Sequence, residues 1–179
     1  MNRKTAALAL AAAALGLLAY STAVRLAPAR RPPPREGLPA PKLELTDVSG
    51  QRATLGQYRG RVVLLDFWAT WCDTCTAELG DLRRLYEKHR AEGFEILGAC
   101  VDAGSRSKVA SYIAAHAIPW RVLLADSEAT SAYRVWGLPV KFLIDPQGSI
   151  ARRYEGPVKP EVLEAEVQRL LKLPSKGDS

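Results

Sequence analysis

The spacing of apolar residues changes period several times along the chain, and each change predicts an element. Residues 6–24 (Ala6 to Val24) are uncharged and mostly apolar. As a helix they reach roughly 28 Å, about one hydrocarbon core. Further on, Leu43-Glu44-Leu45-Thr46 alternates, Ser49-Gly50 turns the chain, and Arg52-Ala53-Thr54-Leu55 follows. That pattern predicts a β-hairpin. Val62-Val63-Leu64-Leu65 is a continuous apolar run, the mark of a strand covered on both faces. Leu79, Leu82, Leu85 and Tyr86 recur at helical spacing and predict a helix over about residues 73–91. Phe94 to Val101 predicts a second buried strand. Val109, Tyr112, Ile113 and His116 predict a second amphipathic helix. Val122-Leu123-Leu124 is a short strand and Glu128 to Val135 a short helix. Val140 to Ile144 and Ile150 to Tyr154 flank Asp145-Pro146-Gln147-Gly148, a turn signal, and predict a second hairpin. Pro160 opens a last helix with Val162, Leu163, Val167, Leu170 and Leu171 on its apolar face. The order of elements predicts an α/β sheet with helices on both faces.

Four stretches follow from this pattern: residues 1–27 as signal peptide or membrane anchor, 28–41 as linker, 42–173 as the folded domain and 174–179 as a polar tail. Arg3 and Lys4 precede the first apolar run, as in a signal n-region. Cleavage after Ala23 or Ala29 is one reading. A retained helix is the other, favoured because the run exceeds an ordinary signal core. Its alanine content weakens it as a span, and the arginines behind it argue against an outward domain. Residues 28–41 contain Pro28, Pro32, Pro33, Pro34, Pro39 and Pro41, the composition of an extended spacer.

The net charge of +6 on 179 residues raises the question of nucleic acid. Residues 1–36 carry Arg3, Lys4, Arg25, Arg30, Arg31 and Arg35 against Glu36, which leaves +1 for everything after them. The folded part has no basic footprint for DNA or RNA.

Two of the three cysteines form Cys72-x-x-Cys75. A zinc site needs a second ligand cluster, and a c-type haem site needs histidine where Thr76 stands. The predicted strand ending at Trp68 feeds the predicted helix, so Cys72 falls at a helix N-terminus. Unpaired amide N–H groups and the helix dipole there favour a thiolate. The spacing brings Cys75 onto the same turn, within disulfide reach. Asp66 lies in an otherwise apolar strand. If buried, it shifts toward its neutral form and can shuttle a proton for the second thiol; otherwise it faces solvent or caps a neighbouring element. Glu78 either assists that transfer or is an ordinary helix-surface glutamate. Asp73 opposes a thiolate at Cys72, which suggests a reducing couple. Gly137-Leu138-Pro139 stands before a strand, a common setting for a cis turn. Cys100 reads as a small buried hydrophobe, His116 as partly buried and His89 as a surface residue. Trp120 and Trp136 read as packing aromatics.

Asp66-Phe67-Trp68-Ala69, Trp71-Cys72-x-x-Cys75 and Gly137-Leu138-Pro139 resemble the thioredoxin superfamily, as does Phe142-Leu143-Ile144-Asp145-x-x-Gly148. With Glu78 and the N-terminal segments, about residues 40–173 most resemble its TlpA/ResA-like branch. The resemblance implies a thioredoxin fold: an N-terminal β-hairpin and a central mixed sheet flanked by helices. It implies a redox-active disulfide Cys72–Cys75 and substrate docking beside Trp71, Leu138 and a cis Pro139. Asp66 matches thioredoxin's buried acid, and Glu78 the branch's active-site glutamate. Two positions depart from the pattern: Gly80 stands where a helix-kinking proline is usual, and Val140 where threonine is common.

The expected activity is protein-disulfide reduction outside the cytoplasm, on the periplasmic side, with the domain tethered to the inner membrane by residues 6–24. Cys72 attacks a partner disulfide, and Cys75 then releases the reduced partner. The expected partners are disulfides of exported proteins, among them apocytochrome c, and a membrane electron donor. No metal or organic cofactor is expected, and the chain is expected to act as a monomer. Two rivals remain. A thiol peroxidase of related fold carries proline and threonine where Leu65 and Ala69 stand before Cys72. A non-enzymatic module would hold thiols or a metal such as copper between the cysteines.

Overall fold

The computed structural model describes residues 33–102 and 105–173. The apolar run 6–24, the first part of the proline-rich segment and the polar tail 174–179 lie outside the described residues. Among the described residues, no helix is long and apolar enough to cross a membrane.

Seven strands form one mixed sheet: β1 (Glu44–Asp47), β2 (Arg52–Thr54), β3 (Val62–Trp68), β4 (Phe94–Cys100), β5 (Arg121–Leu124), β6 (Val140–Ile144) and β7 (Ile150–Glu155). Their order is β2-β1-β5-β4-β3-β6-β7. β3, β4 and β5 run parallel, and the two hairpins add antiparallel strands at the edges. Among the described residues the α-helices are α1 (Asp73–His89), α2 (Arg106–Ala115), α3 (Ser127–Ala132) and α4 (Pro160–Leu171). Every residue of β3 is buried, as its unbroken apolar run predicts.

Side chains alternate across a strand, so β3 feeds two cores. Val62, Leu64 and Trp68 pack with Leu79, Leu82 and Leu85 of α1, Val109 of α2 and Leu163, Val167 and Leu170 of α4. Val63, Leu65 and Phe67 pack on the other side with Ala129 of α3, Tyr133 and Phe142. There Phe67, Tyr133 and Phe142 form a tilted and edge-to-face aromatic cluster, with centroids 5.0–6.1 Å apart. The same parity turns Asp66 toward the α1 and α4 side. Its register partner on β6 is Lys141.

Three side chains differ from expectation. His89 is buried, not superficial, because α4 packs over the last turn of α1. Its Nδ1 lies 3.3 Å from Glu92 and its Nε2 3.5 Å from Glu164. Trp136 is 85% exposed; it stands in the connection between α3 and β6, where no element covers it. Val162 is exposed in the first turn of α4. α1 ends two residues early: Arg90–Glu92 tighten into a 3-10 turn, and Gly93 stops it at φ 99°.

The described end of the proline-rich segment is bonded to the domain. Gly37 N–H donates to Ile150, Ile150 N–H to Leu38 and Ala40 N–H to Gly148. Tyr133 hydroxyl donates to Pro41 carbonyl at 2.7 Å. β6 runs antiparallel to β3, so the turn after Ile144 lies at the start of β3. The chain therefore joins the domain at the pole opposite Cys72.

Candidate active site

Cys72 is the N-cap of α1, and its Sγ accepts Cys75 N–H at 3.2 Å. The cap is a sulfur in place of the usual oxygen, so the Cys75 amide faces the Cys72 sulfur. Cys72 and Cys75 are joined as a disulfide, with Cα atoms 5.3 Å apart. Both cysteines are buried, 7% and 5% exposed, but only one borders open space. Cys72 lines an open groove of about 540 Å³ with Trp71, Trp136, Leu138, Asp126 and Thr130, whereas Cys75 does not line it. Trp71 is 65% exposed on one side of this groove. The Leu138–Pro139 peptide is cis.

The loop that carries Cys72 is held from below. Thr70 N–H donates to Asp102 Oδ1 at 3.1 Å, and Thr70 hydroxyl donates to the other carboxylate oxygen. Asp102 is buried just beyond β4, with Lys108 Nζ at 3.5 Å. Thr76 hydroxyl meets Tyr112 hydroxyl at 2.6 Å, and Tyr112 packs on Trp68 and stacks on His116. α2 thus braces the first turn of α1.

On the α1 and α4 side of the sheet the structure gathers three charged groups. Asp66 is 4% exposed. Desolvation pushes its carboxyl up to about 6, with Lys141's charge pulling back and Glu78's pushing further. Lys141 is wholly buried and donates to Glu78 Oε2 at 2.7 Å, with Asp66 Oδ1 3.7 Å away. Glu78 is half-buried and also accepts Val158 N–H at 2.9 Å, so it is not a free surface glutamate. Asp66 and Glu78 are therefore brought together through a lysine that sequence reasoning passed over. The available signal was a lysine inside the apolar run Val140–Ile144, at the side-chain parity of Leu143. Thr70, Asp102 and Tyr112 also went unnoticed; they lie in three separate segments, and nothing in their spacing joins them.

Cys100 is buried and free. Burial pushes its thiol up to about 12, which leaves it inert as a nucleophile.

Comparisons with known proteins agree with this geometry. Residues 37–153 match the AhpC/TSA family. The chain is 33% identical over 122 residues to the thiol-disulfide oxidoreductase ResA of Bacillus subtilis, covering 68% of each chain. It is 31% identical to the ResA of Geobacillus kaustophilus, over 75% of this chain and 77% of that one. Among solved structures, the thiol:disulfide interchange protein DsbE of Chlorobium tepidum superposes with a TM-score of 0.72. It is 28% identical, over 77% of this chain and 99% of that one. With a half-presented Cys-x-x-Cys disulfide at a helix start, a thioredoxin-type sheet around it and these relatives, the chain belongs to the AhpC/TSA family as a ResA/TlpA-like thiol-disulfide oxidoreductase of the thioredoxin superfamily.

Proposed function

We propose that this oxidoreductase works as a reductase, passing two electrons to disulfides of exported proteins on the periplasmic side of the inner membrane. The observation that carries this reading is the unequal placement of the pair: Cys72 lines the open groove, and Cys75 does not. Cys72 thiolate attacks one sulfur of the partner disulfide, forming a mixed disulfide and releasing the first partner thiol. Cys75 gives up its proton, with Asp66 as acceptor, and attacks Cys72 Sγ. The second partner thiol leaves, and the Cys72–Cys75 disulfide is restored. Trp71, Leu138 and Pro139 are the proposed docking surface for the partner's backbone and the residues beside its cysteine. Asp73 in the first turn of α1 supports the reducing direction, because its charge disfavours accumulation of the Cys72 thiolate.

A dithiol donor in the membrane recharges the pair. Residues 6–24 are the proposed tether. By resemblance to the TlpA/ResA-like branch, the cysteines of apocytochrome c are one expected client. The test is the reduction potential of the couple in the purified full chain, equilibrated in dithiothreitol or glutathione buffers. A value near thioredoxin's, about −270 mV, supports the reductase. A value near about −120 mV makes the protein a disulfide donor.

A further inference from the structure

Lys141 is the group least explained by the fold. It occupies the second position of β6, between Val140 and Phe142, with no exposure. An ammonium taken out of water is costly unless it is paired and hydrogen-bonded. Two carboxylates flank it, and they are used unequally. Glu78 accepts at both oxygens, from Lys141 Nζ at 2.7 Å and Val158 N–H at 2.9 Å. Asp66 Oδ1 is buried, feels Lys141 only at 3.7 Å and accepts no hydrogen bond. It is thus the open acceptor of the trio.

Glu78 opens onto a second space. A cleft of about 240 Å³ lies between α1 and the start of α4, walled by Leu82, Leu85, Val158 and Leu163 beside Glu78. It shares no lining residue with the groove beside Cys72. Asp66, Lys141 and Glu78 therefore run from the buried interior to a cleft separate from the groove beside Cys72.

We propose that Lys141 is a positioning residue that couples Asp66 to Glu78, so that the proton Asp66 takes from Cys75 leaves through the α1–α4 cleft and not through the substrate groove. This rests on the reductase reading above. The step balances without electron transfer. The Cys75 S–H bond breaks and an O–H bond forms on Asp66. Asp66 then returns its proton to Lys141 as Lys141 passes one to Glu78, and Glu78 releases it to water. Each group ends as it began, and one proton has moved. Asp66 is suited to this, since burial pushes its carboxyl up to about 6, near neutrality. The charged groups facing it are Lys141 of β6 and Glu78 of α1. Its β4 register partner Gly98 offers no side chain. From β7, Tyr154 is the register partner of Lys141, and its hydroxyl is buried without a hydrogen bond. The charges at the cleft rim are Asp81, Arg84, Lys88 and Glu164.

The test uses the full chain carrying glutathione on Cys72, and follows glutathione release by Cys75 from about pH 5 to 9. Lys141→Met should slow release roughly tenfold or more near neutrality. Alkylation of Cys72 by iodoacetamide in the reduced protein should change less than about twofold, since that step needs no proton from Cys75. Glu78→Gln should slow release to a similar extent, and the double variant no further, because the two act in series. Lys141→Arg should recover most of the rate. A Lys141→Met protein that releases glutathione at the wild-type rate, or losses that multiply in the double variant, would overturn the proposal. If Lys141→Met does not fold, Lys141→Gln takes its place with the same expectation. A second readout needs no turnover: in the oxidised protein, Lys141→Met should raise the carbon-13 carboxyl titration midpoint of Asp66 by about one pH unit or more. An unmoved midpoint overturns the coupling. If the wild-type protein exchanges with no disulfide at all, the reductase reading fails, and the Asp66 titration alone decides the Lys141 link.

Discussion

Asp66 makes the stability of the fold depend on pH. Desolvation holds its carboxyl at about 6, above the ordinary 3.8, despite the charge of Lys141. An acid raised on folding binds its proton more tightly in the native state. Its penalty is therefore absent below about pH 4, grows as pH rises from about 4 to 6, and is complete above that. A rise of this size corresponds to about 3 kcal/mol. Asp66→Asn should abolish this decline and raise the urea midpoint at about pH 8. Denaturation at about pH 4, 6 and 8 checks it; a variant that keeps the wild-type decline would assign the titration to another group. Asp47 acts in a lower window with the opposite sign. Burial opposes its charge, but hydrogen bonds from Ser49, Gln51 and Arg121 hold it at about 2. Its contribution is lost only as pH falls from about 4 to 2. A different prediction concerns the three thiols. With the disulfide reduced and the fold intact, iodoacetamide should label Cys72 first and leave Cys100 unmodified at about pH 8, because burial holds the Cys100 thiol near 12. Peptide mass mapping reads this directly, and early label on Cys100 would mean that β4 opens.

The helix that carries the disulfide contains a glycine at its eighth position. Gly80 is exposed, and a Cβ built there would meet nothing nearer than the Arg84 guanidinium at 3.8 Å. Gly80→Ala should therefore stabilise the protein by about 1 kcal/mol through helix propensity and reduced unfolded-state entropy. The melting temperature should rise by a few degrees. A fall would show that α1 relies on the freedom of that residue. The strands needed no such interpretation. β3 and β4 were visible as apolar runs, because a strand buried on both faces leaves no polar alternation. α1 and α4 were visible from their leucine spacing. Their ends were less so, since the 3-10 turn at Arg90–Glu92 depends on Gly93 closing against Arg90.

At the scale of the whole molecule, the described part of the N-terminal approach is tied to the domain by backbone and side-chain bonds. Tyr133 is fully buried, and its hydroxyl reaches Pro41. Arg152 joins Glu36 to Glu166 of α4. Tyr133→Phe should cost about 1 kcal/mol. It should also speed hydrogen exchange at Gly37 and Ala40 while leaving β3 amides unchanged. Equal acceleration throughout would show that the segment is part of the global unfolding unit.

The sequence by itself determined the order of elements, the buried central strands and the Cys-x-x-Cys pair, because each rests on local period or on spacing within one helical turn. It also singled out Asp66 and Glu78, each as a charged residue in a telling place. What only the tertiary structure decided is how such residues meet. Lys141 stands opposite Asp66 through β3–β6 register, between segments 75 residues apart in number. His89 is buried by a helix that comes much later in the chain, and Trp136 is exposed because none covers it. Asp102 and Tyr112 hold the cysteine loop from two further segments. Periodicity reports which face of an element is apolar. It is silent on what packs against that face, and register and packing between distant segments set the charges, burial and exits around the disulfide.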